Sequence, residues 1–158
     1  MTVREICEEG VDVTAGAVYS GDILTKQGSK MSKIKGLFLD DERNPQDVTW
    51  INYPESIDWT VVRSYDKFFH EFYRETFQVF SFDHDIQDFN HRGVELTGYI
   101  VLRAMLDTFL TTPRGLFTFP EQVFFHTKNP IGKENMEAYW NNFCKHSRRR
   151  MHNEIAIR

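Results

Sequence analysis

The chain has 158 residues, 41% of them apolar and 15% aromatic, which suits one domain with a single sizeable core and excludes a disordered tail. A net charge of −4 argues against a general polyanion binder, and no run approaches the roughly 18 apolar residues of a membrane span. The first residues carry acids where a secretory signal would be basic and then apolar, so a cytoplasmic protein with no membrane partner is expected.

Residues 1–30 differ from the rest. Gly10, Gly16, Gly21 and Gly28 punctuate them, and Val11, Val13, Val18, Tyr19, Ile23 and Leu24 are spaced for short strands or a hairpin. Met31 then reads like a second start. The expected organisation is an N-terminal extension over 1–30 and one α/β domain over 31–158. Cys7 and Cys144 supply neither a disulfide framework nor a C-x-x-C metal pair, so both are read as reduced thiols.

From Ile34 onward, strand and helix signals alternate. Residues 34–39 form a short apolar run, and 59–63 form a second strand candidate. Ser64 can cap a helix reaching residue 77, with Phe68, Phe69, Phe72 and Tyr73 at helical spacing. Residues 78–82 read as a third strand. A helix over 94–110 follows, with Val94, Gly98, Val101, Met105 and Phe109 in one stripe and Leu102, Leu106 and Leu110 beside it. Pro113, Gly115 and Pro120 mark a loop, and 122–125 is a fourth strand. The last helix is expected over 133–145, carrying Met136, Tyr139, Trp140 and Phe143, with a short strand over 153–158. This alternation implies a parallel sheet covered on both faces.

In such sheets, ligands bind beyond the carboxyl ends of the strands. The first strand ends in Asp40-Asp41-Glu42-Arg43-Asn44-Pro45, the third in Asp83-His84-Asp85, and the fourth in His126-Thr127-Lys128-Asn129-Pro130-Ile131-Gly132-Lys133. Asp40, Asp41 and Asp83 would repel one another unless a cation sat between them, and hard divalent ions such as Mg²⁺ or Mn²⁺ want such oxygens. The alternative is a cap or a salt bridge to Arg43 or Arg63. His84 and His126, with Asp85, are the candidates for catalytic proton transfer. Arg43, Thr127, Lys128, Asn129, Gly132 and Lys133 are the candidates for binding a phosphate-bearing substrate, the last four near a helix N-terminus whose free N–H groups attract anions. An ordinary loop cap is the competing reading of that turn. Lys145, Arg148, Arg149 and Arg150 form a basic tail, by default a solvated face.

The three blocks, taken in order at three strand ends, resemble the signature blocks of the cyclic-phosphate-processing receiver-like family of bacteria and their phages. The likeness covers residues 34 to about 144. It implies a receiver-type, three-layer α/β/α sandwich with a mainly parallel, flavodoxin-like sheet. It also implies a site lined by Asp40, Asp41, Asp83, His84, Asp85, His126, Thr127 and Asn129. Thr127 stands where Ser is expected, which keeps the hydroxyl.

Three functions follow as expectations. The first is a metal-dependent phosphoesterase acting on cyclic phosphates or nucleotide-derived esters. The second is a receiver phosphorylated on Asp83, although no fifth strand with its lysine is evident. The third is a non-catalytic module that binds a nucleotide, or a protein partner through the N-terminal extension or the basic tail.

Overall fold

The computed structural model describes residues 32–113 and 116–156. The hairpin expected within residues 1–30 lies outside the described residues. A parallel four-stranded sheet forms the centre, in the order β2-β1-β3-β6, built from β1 (Ile34–Leu39), β2 (Ile57–Val62), β3 (Val79–Phe82) and β6 (Gln122–Phe125). A two-stranded antiparallel hairpin, β4 (Asp88–Phe89) with β5 (Glu95–Leu96), is inserted after β3. The helices are α1 (Tyr65–Arg74), α2 (Gly98–Thr111) and α3 (Pro130–Ala156). This is a receiver-like α/β fold.

Strand alternation explains where the core lies. Leu37, Leu39, Phe80, Phe82, Val123 and Phe125 share one face and meet Phe68 and Phe72 of α1, Val101 and Met105 of α2, and Met136 and Trp140 of α3. All three helices thus feed one apolar cluster, and Cys144 is buried in it. The opposite face carries Ile34, Phe38, Val79, Ser81 and Phe124. Ile51, Tyr53 and Trp59 cover it. The expected third layer is therefore supplied by the β1–β2 connection, whose only helical piece is a 3-10 turn at Pro45–Asp47. Asn44, Pro45, Asn52 and Pro54 bracket this connection too closely for a longer helix to form.

The element ends differ from expectation for local reasons. Ser64 caps α1 as expected, accepting from Lys67 N, but α1 stops at Arg74, and Phe77 reaches the core from the connection to β3. Val94 lies at the β4–β5 hairpin and is exposed; α2 starts at Gly98 with Thr97 as its cap. The last helix begins three residues earlier than expected, at Pro130, a residue pre-set for the first turn. Neither Gly nor Pro follows Gly132, so α3 continues to Ala156 and replaces the expected terminal strand as far as that residue. Residues 157–158 lie outside the described residues. Among the described residues, no helix is long and apolar enough to cross a membrane.

Candidate functional site

Asp40, Asp83 and His126 each follow directly on a strand of the sheet, and each is still held by the ladder. Asp40 N donates to Val62 O, Asp83 N to Leu39 O, and His126 N to Phe82 O. The three side chains therefore emerge in register from β1, β3 and β6. Gly98 helps to close the arrangement: a Cβ there would collide with the carbonyl oxygen of Asp83, so only glycine lets α2 start against the end of β3.

Asp40, Asp41 and Asp83 bring one carboxylate oxygen each to within 4.8 Å of one another. Asp40 and Asp83 are buried, and Asp41 is half-buried. Such a donor set of hard oxygens fits a divalent cation, so the triad could hold a metal ion. In the structure Arg43 bridges two members of the triad. Its Nε lies 2.8 Å from Asp40 Oδ2, and one terminal nitrogen lies 2.7 Å from Asp83 Oδ2. The cation site and the salt bridge, posed as alternatives by the sequence, thus use the same carboxylates. Arg63 supports the turn from outside, donating to the Asp40 and Arg43 carbonyls and to Asn44 Oδ1.

An open cleft of about 360 Å³ lies over the triad, lined by Asp41, Glu42, Arg43, Asp83, Asp85, Gln87, Thr127, Lys128 and Asn129. The electrostatics inside it are divided. Burial raises Asp41, and the neighbouring charges of Asp40, Glu42 and Asp83 raise it further. Burial would also raise Asp40. Hydrogen bonds from His126, from the N–H groups of Arg43 and Glu42, and the Arg43 charge outweigh it and bring Asp40 down to about 2.

His126 is fully buried beneath this cleft rather than on its wall. Its ring stacks on Phe38 at 4.3 Å. Nε2 lies 3.1 Å from Asp40 Oδ2, Nδ1 lies 2.7 Å from Ser81 Oγ, and Ser81 Oγ lies 2.7 Å from the Tyr53 hydroxyl. Burial depresses the imidazole despite Asp40 and Asp83, so it is neutral near pH 7. Ionised Asp40 can only accept, which makes Nε2 the donor and Nδ1 the acceptor. Ser81 then donates to His126 and accepts from Tyr53, whose own ionisation burial pushes upward. The proton order is Tyr53 to Ser81 to His126 to Asp40.

Both depressed groups tie stability to pH in the same direction. The unfolded chain protonates His126 near its ordinary 6.5 and Asp40 near 3.8, before the folded protein does. Stability, measured by urea unfolding with chelator present, is expected to fall as pH drops below about 6.5. A further loss of about 2 kcal/mol between roughly pH 4 and pH 2 comes from Asp40. A profile flat from pH 7.5 to pH 5 would contradict the neutral buried imidazole.

His84 is the more accessible imidazole, with a side chain 18% exposed. Its Nδ1 lies 2.7 Å from Asp85 Oδ1, and Asn129 Nδ2 donates to both Asp85 oxygens. Burial would raise Asp85, but these two partners hold it below the ordinary carboxylate value. Asn129 also caps α3, its Oδ1 accepting from Gly132 N. The helix start is thus closed by a side chain of this chain. Gly132 lies against the His84 ring, where a Cβ would strike the imidazole, and Lys133 sits 3.8 Å from Glu137. Neither lines the cleft. Gly132→Ala is expected to displace the His84 ring and cost roughly 1–3 kcal/mol, as overpacking does. Thermal unfolding, with the His84 ring resonances followed by NMR, checks it; an unmoved ring would refute the contact.

Trp50, Tyr53 and Ser81 were not singled out by the sequence reading. Trp50 is 43% exposed, donates to His126 O at 3.1 Å, and lies under Lys128 Nζ at 4.5 Å and the Arg43 guanidinium at 5.6 Å. It therefore steadies both cations beside the cleft. One signal for Ser81 was available: a lone hydroxyl in the apolar run Val79–Phe82 needs a buried partner.

No curated protein and no solved structure gives a significant match to the chain. A family model described as the cyclic-phosphate processing receiver domain matches residues 35–142, which takes in the acidic turn after β1, the turn after β3 and the His126 turn. The chain therefore belongs to the cyclic-phosphate processing receiver family.

Proposed function

We propose that this domain is a divalent-metal-dependent phosphoesterase that opens a cyclic phosphate on a nucleotide or related ester. The observation that carries the reading is the placement of three mutually close carboxylates, Asp40, Asp41 and Asp83, under a cleft that also holds Arg43, Lys128 and Thr127. Mg²⁺ or Mn²⁺ held by the triad would supply Lewis-acid polarisation of a phosphoryl oxygen. Arg43 and Lys128 neutralise the phosphate charge, and the Thr127 hydroxyl and Asn129 orient it. Water adds to phosphorus, one ester P–O bond breaks, and the departing oxygen takes a proton. The attacking water gives its proton to the Asp85–His84 pair, of which Asp85 lines the cleft and His84 backs it through Nδ1, and the pair returns a proton to the departing oxygen. His126, buried and neutral, positions Asp40 instead of exchanging protons with substrate.

A receiver phosphorylated on Asp83 is the second reading, favoured by the acid pair after β1 and by Thr127 after β6. Against it, both Asp83 oxygens are engaged, Oδ1 by His84 N and Oδ2 by Arg43. The two separate cleanly. The esterase reading expects turnover of a panel of 2′,3′-cyclic and oligonucleotide cyclic phosphates, abolished by chelator, with no stable phosphoryl group on the protein. Mass spectrometry showing Asp83 phosphorylated by acetyl phosphate, with no panel member consumed, would reverse the choice.

A further inference from the structure

We propose that Arg43 is a tethered counter-ion for Asp40 and Asp83, which a divalent cation must displace, and that loading the site moves its guanidinium toward the phosphate of the substrate. This rests on the metal-dependent reading and adds a switch to it. Three carboxylates lie within 4.8 Å at a site where two are buried, and such repulsion requires a cation. Arg43 supplies one from three residues along the same turn. Its fork contacts both buried members and leaves Asp41 uncontacted at the cleft wall.

Arg43 is not buried with them. Its side chain is 26% exposed, and its guanidinium also lies over the Trp50 ring. Trp50 is itself fixed by its bond to His126 O and shares its ring with Lys128. The guanidinium can leave the carboxylates while keeping an aromatic support beside the cleft. There, with Lys128, it faces the position a bound phosphate would take. The acids then keep a cation beside them in both states: Arg43 before loading, and afterwards the divalent ion, with Arg43 on the anion.

The test is calorimetric titration of the chelator-treated full chain with Mg²⁺ and with Mn²⁺. Arg43→Met, which keeps the side chain's length and removes its charge, is expected to bind the ion at least tenfold more tightly than wild type. Arg43→Lys should fall between them, because a single ammonium cannot fork to both carboxylates. Fluorescence gives a second readout that needs no variant of Arg43: saturating Mg²⁺ should change the emission of wild type but not of Trp50→Phe. Equal or weaker binding by Arg43→Met, or no Trp50-dependent change when wild type binds, overturns the switch and leaves the metal reading standing. Binding by none of the proteins overturns the metal reading, and the switch with it.

Discussion

His126→Ala is expected to lose about 3–5 kcal/mol of folding stability, the range for emptying a buried ring site and breaking a buried polar pair. The ring is fully buried, stacked on Phe38, and bonded at both nitrogens. Its removal leaves Asp40 Oδ2 without its neutral donor and Ser81 without its acceptor, at a buried site. The damage should also spread to the cleft, since the same ring holds Asp40 in place and the His126 carbonyl holds Trp50. Urea unfolding at pH 7 measures the loss. A midpoint within error of wild type would show that the Tyr53–Ser81–His126–Asp40 chain does not support the fold.

Asp83→Asn should act on function with little effect on the fold. The amide keeps the size of the carboxylate and can still accept from His84 N, as Asp83 Oδ1 does. It removes one charge of the triad and replaces one hard ligand oxygen. Losing an outer-shell partner alone costs roughly 10–100-fold in metal affinity, so loss of a ligand should exceed that. Calorimetry with Mn²⁺ is expected to show binding weakened more than about a hundredfold, with the circular dichroism spectrum unchanged. Wild-type affinity in Asp83→Asn would remove Asp83 from the metal site.

The residues that emerge from the strands were the part of the site most legible in sequence. Strand ends are fixed by short apolar runs, and a parallel sheet aligns them, so the meeting of Asp40, Asp83 and His126 followed from pattern alone. What hides behind them was not legible. Tyr53 reaches Ser81 across 28 positions from a connection with no periodicity, and Trp50 reaches the His126 carbonyl across 76. The same connection replaces the expected helical layer, because local turn residues prevail over the general rule that α/β sheets carry helices on both faces. The roles of the two imidazoles also depended on depth. Sequence placed both at strand ends, but His126 is fully buried beneath the cleft, while His84 is partly exposed between Asp85 and Gly132. Gly132 and Lys133 were drawn toward a phosphate by their place near a helix start, yet Asn129 caps that start from within the chain.

The carboxylate triad and its cleft are proposed to open a cyclic phosphate with the help of a divalent ion. Phosphorus NMR of 2′,3′-cyclic nucleotides incubated with the full chain and Mg²⁺ tests it most directly. The cyclic signal is expected to be replaced by that of a phosphomonoester, and chelator or Asp83→Asn to prevent the change. A cyclic signal that persists for every nucleotide, with Mg²⁺ or with Mn²⁺ followed by chelation before measurement, would contradict it.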